Sequence, residues 1–540
     1  MSDVESAGVL SLSVGAITGE GSLSIAGSGS AWTGGNLNSL GTLTILSGAD
    51  LHLSSAGSLD FYGAMINNGG AVSWSAGTLR TGNGGSFTNN GSFTDSASSS
   101  VNNPWGGAAT FTNALGGTYN KTAGTTDFQI PFVNSGAVNV TGGTLNLDTG
   151  GTLNGGSSLS ATGGTIQLTG GIFAASGTVA ISNVIFAGGE ISGTPTFLGT
   201  MSWAGGDMNS AGTTSIAFGP SSTFTIGTSN YHDFYDSALV NGGVVDWTGG
   251  QIRTGNGGSF TNNGTFNDSA SNSINNPWGG PAIFTNGLGA TYNKTAIGVT
   301  TVGIPFTNLG TISISNGTLA LSGGFTNTGG SLSLAGGAAV FPAAADFTSG
   351  SVLGSGTVTA TTLTVGGVIA PAGPSGSGLL TVNGGLTLLG TTDLEFNIGG
   401  TTPVTQFDQV AVTGAADLNG VLNITFNNGF QNSVTPSETF LILSSTSLSG
   451  SFVNAANGSQ LMTADGLGWF TVNYGSSSTF AIDDVILSNF TPVPEPPTPF
   501  LLATGAAALF GLLGLQRLNA GGRDRGIGLV RRRRARGTST

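Results

Sequence analysis

The chain has 540 residues, of which 96 are glycine, 7% are charged and 38% are hydrophobic, and its formal net charge is −13. No cysteine is present, which excludes disulfide and thiol chemistry, and the acidic balance excludes nucleic acid as a partner. Thirty phenylalanines and abundant Thr, Val and Ile argue for packed β structure rather than disorder, because disordered chains are usually charged and poor in aromatic and β-branched residues.

Residues 1–31 are read as an N-terminal cap. They hold no Lys or Arg and no sustained apolar run, so no signal peptide is visible. Beside the tail described below, this leads to the expectation that the true start lies elsewhere or that the chain is a fragment.

The body is internally duplicated. Arg80 to Gly91 (Arg-Thr-Gly-Asn-Gly-Gly-Ser-Phe-Thr-Asn-Asn-Gly) returns as Arg253 to Gly264, an offset of 173. Asn102-Asn103-Pro104-Trp105-Gly106-Gly107 returns as Asn275 to Gly280, and Thr118 to Ala123 as Thr291 to Ala296. These define copy one (32–202) and copy two (203–330). Inside each copy, Phe-Thr-Asn or a close variant starts at Phe87, Phe111, Phe132, Phe260, Phe284, Phe306 and Phe325, with neighbours 19 to 24 residues apart. That is the length of one coil of a parallel β-helix, in which equivalent residues stack one strand spacing apart.

The expected fold is therefore all-β: a right-handed parallel β-helix of roughly sixteen rungs between Trp32 and Gly390, each about 4.8 Å thick. Its phenylalanines form an internal ladder, and Asn89, Asn113, Asn134, Asn262, Asn286, Asn308 and Asn327 stack at a turn. Residues 331–390 resemble the β-helical repeats of autotransporter-type surface proteins, as in Ser351 to Val358 and Gly378 to Gly384, with Pro371 and Pro374 in the link. Residues 391–490 lose the rung marker and are expected to close the coil as a β cap or small β-sandwich.

Few residues suggest chemistry. His232-Asp233-Phe234-Tyr235-Asp236, with Asp246 nearby, is the densest local cluster. Its copy-one counterpart is Leu59-Asp60-Phe61-Tyr62-Gly63, with Ser73 for Asp246, and solvated turn residues are the plainer reading. Arg80 with Asp95 and Arg253 with Asp268, each fifteen residues apart, are expected to form stacked surface ion pairs. His52 stands alone, and no catalytic residue, cofactor or metal is expected. Trp105 and Trp278, in the Asn-Pro-Trp-Gly-Gly loops, are candidates for sugar contact, since a loop tryptophan can stack on a sugar face. Thr88, Thr112, Thr261, Thr285, Thr307 and Thr326, one per rung, are the threonines an ice-binding face would use.

The tail, 491–540, has three blocks. A proline-broken hinge, Val493-Pro494-Glu495-Pro496-Pro497, precedes an uncharged apolar run over 500–516, which spans roughly 25 Å as a helix and is just long enough to cross a bilayer. The basic end holds Arg517, Arg523, Arg525, Arg531, Arg532, Arg533, Arg534 and Arg536, which place the C-terminus in the cytoplasm and the body outside. This order of motif, apolar helix and arginines resembles the PEP-CTERM sorting signal, also known as the C-terminal domain of ice-binding proteins. The departure is that the main arginine cluster lies about fifteen residues beyond the helix, which leaves the stop-transfer role to Arg517.

The resemblance implies an exosortase-type processing enzyme as partner, cleavage near Pro494 to Pro496, passage through the bacterial inner membrane, and a final place at the cell surface or outside the cell. The expected function is that of a non-enzymatic surface or matrix protein associated with exopolysaccharide. The alternatives are an extracellular carbohydrate-active enzyme, a sugar-binding adhesin and an ice-binding protein.

Overall fold

The alternation Ser-Phe-Thr-Asn in Ser86–Asn89 turns Phe87 and Asn89 inward and Ser86 and Thr88 outward, as the two-residue period of a strand requires. The same pattern recurs three times per coil, and each of the three short strands joins its own sheet. The first sheet stacks Ser86–Asn89, Thr110–Asn113 and Phe132–Asn134. The second stacks Ser92–Asp95, Thr118–Lys121 and Ala137–Val140. The third stacks Ser99–Asn102, Thr125–Phe128 and Thr144–Leu147. In this computed structural model, which describes residues 4–38, 40–209, 215–373 and 376–494, the result is a parallel β-solenoid of about 18 turns with almost no helix.

The core is a column of stacked side chains. Phe87, Phe111 and Phe132 lie in register with ring centroids 5.1 and 5.3 Å apart and planes nearly parallel, and Phe260, Phe284 and Phe306 repeat this at 5.1 and 4.9 Å. Phe93 and Tyr119 stack in the second sheet at 5.3 Å and meet the phenylalanine column edge-on.

Inward asparagines close the turn beside this column. Asn68 donates to Asn89 at 2.7 Å, Asn89 to Asn113 at 2.8 Å and Asn113 to Asn134 at 2.9 Å, and each also donates to a carbonyl of a neighbouring coil. A second ladder runs through Asn241, Asn262, Asn286, Asn308 and Asn327. Asn68 and Asn241 extend both ladders beyond the marked Phe-x-Asn triplets, because Ile66 and Leu239 stand where the others have Phe. The glycine that follows fits a backbone close-approach: a Cβ at Gly136 would lie 2.2 Å from the Gly117 carbonyl oxygen.

The duplication does not repeat whole coils. The first sheet, which holds Phe87, continues through Gly150–Leu153, residues 172–175 and 190–193, Asp207 and Tyr231–Tyr235 to Gln251–Gly255. Phe260, the copy-two equivalent of Phe87, stands in the second sheet instead. That sheet runs from Ala137–Val140 through Ser158–Ala161, residues 178–181 and 196–199, Ser215–Phe218 and Ala238–Asn241 to Ser259–Asn262. The offset of 173 residues thus spans eight coils and one further strand, so every copy-two feature sits one sheet further round the prism.

Parallel stacking does not stop at 390, where the sequence places the start of the closing segment. Asp393–Ile398 pairs in parallel with Val421–Phe426, and Ala415–Leu418 with Ser447–Gly450. The buried residues there are mainly Leu, Ile and Phe, and the one buried asparagine, Asn397, bonds Gly373 and Asp408 and not a neighbouring asparagine, so the marker is lost while the coil persists. Only then does the pattern turn antiparallel, with Asp484–Pro492 between Phe440–Ser444 and Gly468–Asn473, covering the last strand edges. Among the described residues no helix is long and apolar enough to cross a membrane, and the apolar run over 500–516 lies outside them.

Candidate functional site

Two equivalent clusters stand at corners of the solenoid. In copy one, Asp60 and Arg80 occupy neighbouring rungs of the third sheet, twenty residues apart. Arg80 donates through Nε and Nη2 to the two Asp60 oxygens at 2.7 and 2.8 Å. Its guanidinium lies 5.1 Å from the Trp105 ring, and Trp105 meets Tyr62 edge-on at 5.5 Å. Copy two repeats each part: Arg253 donates to Asp233 at 2.7 and 2.5 Å, lies 5.1 Å from Trp278, and Trp278 meets Tyr235 at 5.4 Å. Copy two adds Tyr231, whose ring is 3.7 Å from the Arg253 guanidinium.

The loops that carry the tryptophans are braced by the coil beneath. Asn103 Nδ2 donates to the Gly107 carbonyl at 2.8 Å and Asn83 N to the Gly106 carbonyl at 2.8 Å; Asn276 with Gly280 and Asn256 with Gly279 match them at 2.9 and 2.7 Å. Asn83 and Asn256 adopt left-handed φ of 48° and 50°, which asparagine tolerates better than most residues. The tyrosines are anchored alike, with Tyr62 N bonded to Asn38 and Tyr235 N to Asn209. Trp105 and Trp278 remain 45% and 44% exposed, so each presents a held, half-open ring. The carboxylate hydrogen bonds raise the pKa of both arginines and keep them charged.

The two sites differ in their surroundings. Glu190, Asp207 and Asp233 stack in successive coils below Arg253, and burial with the neighbouring carboxylate raises the pKa of Glu190 and Asp207. Asn36 occupies the matching place beneath Asp60.

The expected pairing of Arg80 with Asp95 and of Arg253 with Asp268 does not form. A coil here takes twenty residues or more, so a step of fifteen carries the chain past Ser86–Asn89 in the first sheet and leaves Asp95 in the second, where it points inward. Asp95 is fully buried and meets Lys121 at 3.1 Å, the Tyr119 hydroxyl at 2.5 Å and the Thr126 hydroxyl at 2.7 Å. Lys121 also donates to the Ala97 carbonyl and to Thr126. In copy two, Tyr292 reaches Asp268 at 2.9 Å, but Lys294 turns to the Ala296 carbonyl at 2.8 Å and Ser271 at 3.4 Å. One extra residue between Lys294 and Thr300 reshapes that corner and draws the ammonium away.

His232 and Asp233 do not act together. Asp233 is held by Arg253 outside, whereas His232 points inward, fully buried against Trp203, with Nδ1 lacking a hydrogen bond and its pKa lowered by burial. Asp246 accepts from Asn267 on the third sheet, away from both. His52 bonds Ser73 at the surface. The threonines proposed for an ice-binding row divide between two sheets, with Thr88 and Thr112 in the first and Thr261, Thr285, Thr307 and Thr326 in the second.

Of the residues expected to form a sorting motif, Val493 and Pro494 border a hollow of about 620 Å³ beside Asn432 and Phe490, and Val493 N bonds the Leu467 carbonyl at 3.0 Å. Glu495, Pro496 and the arginines from Arg517 to Arg536 lie outside the described residues. Sequence reasoning singled out Trp105 and Trp278 but missed Asp60, Arg80, Tyr62 and their counterparts as their companions. The one-coil spacing of Asp60 to Arg80 and of Asp233 to Arg253 is the signal that finds them. No family model matches the chain, and no curated protein matches it.

Proposed function

We propose that this chain is an exported, non-enzymatic rod of the cell surface or extracellular matrix that holds neutral exopolysaccharide at its two corner clusters. The observation that carries this reading is the duplicated Asp-Arg-Tyr-Trp arrangement. Among the described residues the basic side chains are Arg80, Lys121, Arg253 and Lys294; the lysines are buried, and both arginines lie against a half-exposed tryptophan. A tryptophan face suits the C–H face of a pyranose, and the guanidinium edge beyond the carboxylate can donate to its hydroxyls. A neutral sugar is favoured over a uronate, because Asp60 or Asp233 already balances each arginine and the chain as a whole is acidic.

Delivery rests on the tail. The ordered Val493-Pro494-Glu495-Pro496 motif, apolar run and arginines support export, a transient hold in the inner membrane through 500–516, and processing by an exosortase-type enzyme. The coil is read as right-handed, the hand that twisted parallel strands favour in their crossovers.

The test is retention on immobilised neutral polysaccharide together with tryptophan fluorescence. Trp105→Ala combined with Trp278→Ala is expected to abolish retention while leaving the β signature in circular dichroism unchanged; unchanged retention refutes the assignment. Mass spectrometry of the mature C-terminus from native cells tests the tail, and recovery of intact chain ending at Thr540 in the cytosol refutes export.

A further inference from the structure

We infer from the placement of the two clusters that the rod cross-links neutral glycan chains instead of holding a single one; this rests on the glycan-binding reading above. The two sites are chemically matched but do not face the same way. Arg80 belongs to the third sheet, and its Trp105 loop turns the corner from Ser99–Asn102 in that sheet to Thr110–Asn113 in the first. Arg253 belongs to the first sheet, and its Trp278 loop turns the corner from Ser273–Asn275 to Ile283–Asn286 in the second. One cluster therefore crowns one edge of the prism and its copy crowns the next.

Along the axis they are eight coils apart, roughly 40 Å at about 4.8 Å per coil. The body between them is a continuous parallel stack, so the separation is fixed by a rigid spacer and not by a linker. A glycan lying straight along one edge reaches one tryptophan and misses the other, which stands across the first-sheet face. Gaining both contacts from one chain requires that chain to cross the first-sheet face obliquely between loops that stand on corners about a third of a turn apart. Where geometry disfavours simultaneous engagement by one ligand, the second site takes a second ligand. A duplication of eight whole coils would have aligned the clusters on one edge and favoured a single chain; the extra strand in the repeat sets them on different edges.

The experiment uses the full-length protein with two soluble neutral polymers, dextran and hydroxyethylcellulose, and with alginate as an anionic control. Particle size is followed by dynamic light scattering as the ratio of protein to polymer is varied. Cross-linking gives growth of at least tenfold in particle size with a maximum near equivalence and a fall at either excess. Trp105→Ala alone and Trp278→Ala alone are expected to keep the fluorescence response of the remaining site and to lose the particle growth. Binding by wild type without growth, or growth that persists in both single variants, overturns cross-linking and leaves glycan binding standing. Absence of any fluorescence response to either neutral polymer, or a response to alginate alone, overturns the neutral-glycan reading and the inference with it.

Discussion

The buried pair Asp95–Lys121 and its altered copy supply a test inside one molecule. Replacing Lys121 by Met keeps the length and volume of the side chain but leaves the fully buried Asp95 carboxylate with only neutral donors: Tyr119, Thr126 and the Ala97 amide. Burial lowers the Lys121 pKa even though Asp95 acts to raise it, so the pair gains little over apolar packing. The cost arises from stranding the partner, and removing one member of such a pair typically costs about 3–5 kcal/mol.

Lys294→Met removes an ammonium bonded to a carbonyl and a hydroxyl, which meets its register partner Asp268 only through space and not in a hydrogen-bonded pair, and the expected cost is about 1–2 kcal/mol for the unmet acceptor. A stack of this length need not unfold as one unit, so the measure is amide hydrogen exchange in Ser92–Asp95 and Thr118–Lys121 against Thr265–Asp268 and Thr291–Lys294. At 1.4 kcal/mol per decade, Lys121→Met is expected to speed local exchange by a few hundred- to a few thousand-fold, and Lys294→Met by roughly tenfold. Equal acceleration in the two copies, or less than tenfold at Lys121, refutes the argument.

Three further outcomes follow. His232→Leu installs the copy-one residue, Leu59, removes a buried nitrogen without a partner, and is expected to stabilise the coil by about 1–2 kcal/mol in urea-dependent exchange. Because burial lowers the His232 pKa, its contribution is present above about pH 6.5 and lost as pH falls; the variant should lack that acid sensitivity, and an unchanged pH profile refutes the assignment. Burial pushes Asp408 up to about 6, so the folded state holds that proton more tightly than the unfolded chain. Stability there is full below about pH 3.9 and is lost as pH rises through 6, by about 3 kcal/mol, and a flat protection factor at its donors Gly378 and Asn397 between pH 4 and 7 contradicts this. Asn286→Ala breaks two rungs of the second ladder and is expected to cost about 1–3 kcal/mol in that copy, and exchange unchanged in Ile283–Asn286 and its neighbours counts against it.

The solenoid was legible because its marker is periodic and chemically redundant: Phe for the stack, Asn for the turn, and glycine where coils approach. Other features needed the registers. Asp95 reads as a surface acid until its strand is placed, since only the length of the intervening corners decides which sheet a residue fifteen positions on will join. The displacement of copy two by one sheet was hidden for the same reason: coils vary in length, and an offset of 173 does not declare whether it is a whole number of them. Lys121 and Lys294 carry identical local sequence, Thr-Tyr-Asn-Lys-Thr-Ala, and differ only through one residue inserted further along. Residues 393–426 lost the marker without leaving the coil, because Leu and Ile stack inside it as readily as Phe does.

The asparagine ladders have a direction. Every side-chain amide from Asn68 to Asn113, and again from Asn241 to Asn308, donates to the asparagine of the coil that comes later in the chain. A partly assembled rod therefore ends on a donor met by water, and the next coil both replaces that water and offers a new one. Growth from the amino-terminal end brings fresh acceptors to ordered donors, whereas growth from the other end brings fresh donors to ordered acceptors. The two ends of an unfinished rod therefore differ in chemistry, one offering amide donors and the other amide oxygens, and each coil that closes satisfies one such group and presents the next.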